Sequence, residues 1–83
     1  MAYEVVWSPK SVDGLNDLEK SVRRRIVRKV EELKPSPHHF AERLSAIAAW
    51  KLRVGDYRVI LDIDDGKKEI HVLKVGHRKK VYK

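Results

Sequence analysis

The stretch Trp50–Ile63, WKLRVGDYRVILDI, alternates apolar and polar residues on both sides of Gly55-Asp56, a pattern that suits a β-hairpin and little else. With a period of two, Trp50, Leu52 and Val54 face one way, together with Tyr57, Val59, Leu61 and Ile63. Lys51, Arg53 and Arg58 face the other way. A two-residue loop pairs Val54 with Tyr57 and sets Arg53 directly opposite Arg58. Like charges across a ladder repel. The two arginines, with Lys51 one step away, are either an anion site or two solvated side chains that splay apart, and the hairpin alone leaves both readings open.

The rest of the chain supplies a partner for the apolar row. Tyr3–Trp7 is short and rich in β-formers, so it reads as an opening strand. Ser8-Pro9 is a helix start, with serine as N-cap and proline in the first turn, and Val12, Leu15 and Leu18 follow at helical spacing. A second helix carries Val22, Ile26, Val30 and Leu33 on one face and stops at Pro35 and Pro37. Its other faces bear Arg23, Arg24, Arg25, Arg28 and Lys29, with Glu19–Arg23 and Arg28–Glu32 at ion-pair spacing. Those faces read as a solvated exterior or as a secondary surface for an acidic partner. Residues 35–49 form a connector with one more helical turn, anchored by Phe40, Leu44 and Ile47. Strands are expected over Ala49–Val54, Tyr57–Asp64 and Glu69–Val75, the last two joined by a turn at Asp64-Asp65-Gly66-Lys67. Ile70–Val75 has apolar residues in both parities, as a strand buried on both sides would, and Val81-Tyr82 fits a short final strand. The order βααβββ describes an α+β fold, with two helices on one face of a mostly antiparallel sheet and Lys51, Arg53 and Arg58 on the open face. One domain over residues 1–83 is expected.

Composition bounds the function. The chain is 42% hydrophobic and 37% charged, so it is globular, and no apolar run approaches the roughly 18 residues of a membrane span. With no signal-peptide pattern and no cysteine, a cytoplasmic location is expected, without disulfides or thiolate metal sites. Of the net charge of +7, residues 1–49 carry +2 and residues 50–83 carry +5. Such a balance points to a polyanionic or acidic partner: nucleic acid, ribosome, anionic membrane or an acidic protein.

Several apparent motifs read as structure. His38-His39 follow a proline as loop residues, Asp62, Asp64 and Asp65 belong to a strand end and turn, and Gly76 alone is no phosphate loop. No cofactor or metal is called for, and catalysis falls to Lys, Arg, His and Tyr. That set suits cleavage of RNA without metal. The reaction removes the 2′-OH proton, neutralises a pentacoordinate phosphate and protonates the leaving 5′-oxygen. Tyr82 suits base stacking or support of proton transfer.

The combination WKLRVGDYRVIL … HVLKVGHRKKVYK resembles the RelE/ParE toxin superfamily, on its RelE side, over essentially the whole chain. The resemblance implies a toxin of a type II toxin–antitoxin pair, a ribosome-dependent endoribonuclease that cuts mRNA in the A site and leaves a cyclic phosphate. It implies a RelB-like antitoxin, a toxin monomeric on its own and hetero-oligomeric with that antitoxin, and no membrane partner. By the same resemblance Lys51 lies near the 2′-OH, Arg58 stabilises the transition state, Arg78 serves the leaving group, and Tyr82 orients the base. Arg53, His77, Lys79 and Lys80 are the further candidates for RNA or phosphate binding. Ala49 stands where members often carry a second lysine, so the general base is left open, with His77 a candidate for part of that role. A ParE-like gyrase poison and an inactive antitoxin-binding co-repressor are the alternative readings.

Overall fold

The computed structural model describes residues 2–45 and 47–77. Arg78, Lys79, Lys80 and Tyr82, and the final strand expected at Val81-Tyr82, lie outside the described residues. The elements run β1 (Glu4–Trp7), α1 (Pro9–Asn16), α2 (Lys20–Glu31), α3 (Pro37–Phe40), β2 (Glu42–Arg43), β3 (Trp50–Val54), β4 (Tyr57–Asp64) and β5 (Glu69–His77). They build one sheet in the order β1-β5-β4-β3-β2, antiparallel except for the β1–β5 pair. The expected α+β fold with both helices on one face is therefore observed. The short edge strand β2 is an addition. Among the described residues no helix is long and apolar enough to cross a membrane.

The two-residue loop pairs Val54 with Tyr57, and Gly55 adopts φ +60°, which the first position of a type II′ turn requires. In the second hairpin, Asp64 pairs with Glu69 and the left-handed residue is Lys68 (φ 57°), not Gly66. The Lys68 carbonyl accepts the Glu4 N–H at 2.8 Å, and its ammonium lies 5.0 Å from the Tyr3 ring centre, so this conformation feeds the start of β1.

One helix face of α2 packs Ile26 and Val30, with Leu33 just beyond its end, against Leu52, Val54, Val59, Leu61, Ile70, Val72 and Val75. Ile26, Val30 and Leu33 are fully buried and contribute roughly 1.5–3 kcal/mol each. α1 begins as expected: the Ser8 hydroxyl accepts the Ser11 N–H at 3.1 Å, with Pro9 in the first turn. Gly14 lets α1 press onto β5, because a Cβ there would run into the Val75 carbonyl oxygen. A second, small cluster on the opposite sheet face joins Ala49 and Ile60 under Leu44.

Some expectations are corrected. Phe40 and Ile47 do not anchor the connector; they are 55% and 59% exposed, and among the described residues there Pro37, Ala41 and Ala49 are buried. Val12 likewise points outward, at 40% exposure. The α2 ion pairs are Lys29–Glu32 and Lys34–Glu31, three residues apart, so among the described residues Glu19–Arg23 and Arg28–Glu32 do not form. The mixed parity of Ile70–Val75 reflects a β-bulge instead of burial on both faces. Leu61 pairs with Val72 but Ile60 with Lys74, which leaves Leu73 over and 40% exposed.

His38 and Asp65 are more than loop and turn residues. Asp65 Oδ1 accepts the Tyr3 hydroxyl at 2.7 Å and lies 2.7 Å from His38 Nε2, tying β1, α3 and the second hairpin together. The His38 ring meets Trp50 edge-on at 4.9 Å. The bonds from His38 and then Tyr3 hold the Asp65 carboxyl below its ordinary value, and Asp65 in turn raises the Tyr3 phenol.

Two outcomes follow from this packing. Gly14→Ala should lower unfolding free energy by about 1–3 kcal/mol in denaturant titration, as overpacking against backbone does; an unchanged midpoint would place α1 farther from β5. A carboxyl whose folded value is lowered stabilises above its unfolded value, near 3.9, and loses that contribution as pH falls through the folded value. Asp65→Asn should therefore lower the melting temperature near neutral pH, with the gap to the parent closing as the parent is acidified; a constant gap down to pH 2 would contradict the tie.

Candidate functional site

The open face of the sheet is divided by charge. At the Gly55 end two cross-strand rows run over β3, β4 and β5: Lys51–Ile60–Lys74 and Arg53–Arg58–Gly76. Neighbours in such rows have Cβ atoms about 5 Å apart. At the other end Glu4, Glu69 and Asp64 make a row over β1, β5 and β4, with Asp62 and His71 beside it. His71 Nε2 lies 3.1 Å from Glu69 Oε1. An anion therefore meets attraction at the Gly55 end and repulsion at the other.

Arg58 is the central residue. It is only 8% exposed, and its Nη1 donates to the carbonyl oxygens of Tyr57 (3.1 Å) and Gly55 (3.3 Å). Among the described residues its buried Nε has no hydrogen-bond partner and no carboxylate pairs with it. A buried cation without a counter-ion is costly, and a bound phosphate relieves that cost. Arg53 stands exposed across the ladder, and Gly76, with no side chain, stands on the other side. The turn fixes this arrangement, since the Gly55 carbonyl holds the guanidinium.

Lys51 is half-buried, and its ammonium lies 3.6 Å from Glu42 Oε2 on the edge strand. Ala49, two residues back on the same face, is buried with Ile60. An apolar cap thus occupies the position where a second lysine was considered.

The bulge decides two further placements. Strict alternation from Ile70 would turn Lys74 toward the helices; the extra residue turns it, and Gly76, onto the basic end of the open face. The same shift turns His77 away. His77 pairs with Tyr57, meets its ring edge-on at 5.6 Å, and lines a cleft of about 140 Å³ with Gly14, Asp17 and Leu18. Lys51, Arg53 and Arg58 are thus brought together, joined by Lys74, and His77 is not among them. The signal for Lys74 was the mixed parity of β5. Arg25 was also passed over: its guanidinium nitrogens sit 3.3–3.4 Å from where a Gly55 Cβ would be.

Chemically, the basic end offers the N–H donors of two guanidiniums and two lysines, which is enough to grip and polarise a phosphate. The Glu42 carboxylate competes with that phosphate for Lys51. Glu42→Gln should tighten binding of single-stranded RNA at low salt roughly two- to fivefold, more than Glu19→Gln on the helix side, because an exposed pair of modest strength is released. Equal effects of the two variants in a fluorescence-anisotropy titration would put Lys51 out of reach of the phosphate.

The family model of the ParE toxin of type II toxin–antitoxin systems matches residues 5–82. No curated protein matches the sequence significantly. Among solved structures, the archaeal RelE–RelB complex from Pyrococcus horikoshii has a chain 28% identical, TM-score 0.79, with 98% of this chain and 100% of that one covered. A RelBE toxin–antitoxin complex from Mycobacterium tuberculosis gives 23% identity and TM-score 0.86, covering 94% and 100%. A chromosomal ParDE system from Pseudomonas aeruginosa gives 17% and 0.75, covering 90% and 95%. The last two likenesses speak for the fold. With the family match spanning nearly its whole length, the chain belongs to the RelE/ParE family of toxins of type II toxin–antitoxin systems.

Proposed function

We propose that this toxin is a ribosome-dependent endoribonuclease of the RelE kind, cutting mRNA in the A site and so arresting translation in the cytoplasm. The observation that carries the reading is Arg58, a buried guanidinium with no carboxylate partner among the described residues, at the centre of the basic rows. In the reaction the 2′-oxygen attacks phosphorus, the bond to the 5′-oxygen breaks, and the products are a 2′,3′-cyclic phosphate and a 5′-hydroxyl. The 2′-OH proton passes to a base and an acid protonates the 5′-oxygen. Lys51 serves at the 2′-OH, and Arg58 and Arg53 stabilise charge on the equatorial oxygens. Arg78 and Tyr82 act at the leaving group and the base, with Lys79 and Lys80 on the RNA backbone. No metal takes part in these steps. His77, set against Tyr57, supports the end of β5 instead of acting as the base.

An open sheet face grips phosphate but positions a codon poorly, and misplacement by about 1 Å costs on the order of a hundredfold. The ribosome supplies that positioning. A RelB-like antitoxin, of the kind bound in the complexes named above, silences the toxin by covering the basic end. A second reading is favoured by the family model itself, which is that of ParE: action on DNA gyrase by binding, without cleavage.

Primer extension on mRNA from a reconstituted translation system separates the two. A-site cuts at a rate far above that on naked RNA are expected, with no change in gyrase supercoiling. Arg58→Ala should abolish the cuts while shifting the melting temperature by less than about 5 °C, since two lost hydrogen bonds offset a relieved buried charge. Inhibited supercoiling with intact mRNA would overturn the reading in favour of the gyrase poison. A folded Arg58→Ala protein that cuts at the parental rate would remove Arg58 from the chemistry.

A further inference from the structure

The cations of this protein do not stop at the sheet. The type II′ turn brings Gly55 under the guanidinium of Arg25, which reaches over from α2. An ideal Cβ at Gly55 would lie 3.3 Å from Arg25 Nη1 and 3.4 Å from Nη2, so the guanidinium rests on the bare turn. The carbonyl of the same glycine accepts from Arg58 Nη1 at 3.3 Å. Gly55 thus has one guanidinium from the helix layer against its Cα and another from the open face on its carbonyl. Arg53 flanks them on the adjoining strand. Among the described residues Arg25 makes no ion pair.

The opposite end of the face closes the other route. Glu4, Glu69 and Asp64 stand in a row across three strands, with Asp62 next to them. A single-stranded polyanion whose phosphate lies at Arg58 is repelled from that end and drawn toward the remaining cations. The route toward further cations leads over the Gly55 turn, past the exposed Asp56 carboxylate, to Arg25.

We propose that Arg25 is a further phosphate-contact residue, and that bound RNA leaves the sheet over the Gly55 turn with one backbone phosphate on Arg25, next along the strand from the one on Arg58. The assignment rests on the reading of the open face as an RNA site. It gives Arg25 a positioning role and no part in proton transfer. It also gives Gly55 a second reason to be glycine: a side chain there would displace the Arg25 guanidinium as well as strain the turn.

The test is a salt titration of binding to a 2′-O-methylated single-stranded RNA, which cannot be cleaved, in the absence of ribosomes. The outcome is therefore independent of whether the toxin cuts mRNA. Losing one phosphate contact lowers the slope of log affinity against log salt by about 0.7 for a single strand. Arg25→Gln should show that loss and Arg25→Lys should restore it. Arg24→Gln, the same change of charge one residue away on an exposed position, should keep the parental slope. An unchanged slope in Arg25→Gln, an equal drop in Arg24→Gln, or no salt-dependent binding by the parent would each overturn the proposal. So would an Arg25→Gln variant that binds RNA normally but associates more slowly with an acidic antitoxin segment, since Arg25 would then serve a protein partner.

Discussion

One extra residue in β5 governs the arrangement of this molecule. Leu73 has no partner on β4, so the strand changes faces between Val72 and Lys74. Upstream, Ile70 and Val72 fill the core; downstream, Val75 takes over that role. The bulge carbonyl accepts the Ser8 hydroxyl at 3.1 Å, and the Val72 carbonyl accepts the Ser8 N–H at 3.1 Å, so the same irregularity seats the N-cap of α1. Gly14 then permits α1 to lie along Val75. Without the bulge, Lys74 would turn into the apolar layer opposite Val59, and Val75 would stand opposite Arg58.

From this constraint follows the division of the open face. Basic residues gather at the two-residue turn and carboxylates at the four-residue turn, with Ile60, Ala49 and Leu44 between them. The crowding of Arg53 against Arg58 costs stability in the free protein. Such a cost persists where the surrounding packing enforces it, as the core-facing Val54, Tyr57, Val59 and Leu61 do here. The residues that hold the hairpin together are thus also those that hold the two arginines together.

Much of this was legible in the amino-acid pattern, for identifiable reasons. The hairpin at Gly55-Asp56 alternates from Trp50 to Val59 around a turn glycine, so register, faces and the Arg53–Arg58 pair all followed from a period of two. The start of α1 was equally plain from Ser8-Pro9. The RelE/ParE family was legible in WKLRVGDYRVIL and the basic tail. What stayed hidden depends on tertiary geometry. The bulge leaves only mixed parity as its trace, which a strand buried on both sides produces as well. Arg25 looked like any solvated helix arginine, because its approach to Gly55 spans two layers of the fold. Phe40 and Ile47 looked like anchors because hydrophobicity was the only guide in a connector without periodicity, and both proved exposed. The Tyr3–Asp65–His38 tie joins residues far apart in the chain with no local signature.

The Gly55 end of the open sheet face is proposed as the place where this toxin meets phosphate. Backbone amide chemical-shift mapping with an uncleavable single-stranded RNA tests it most directly, since it reports every strand and helix at once. The largest shifts should fall on Lys51, Arg53, Gly55, Arg58, Lys74 and Gly76, with little change at Glu4, Asp62, Asp64 and Glu69. Shifts centred on the outer face of α1 and α2, with the basic rows undisturbed, would contradict it.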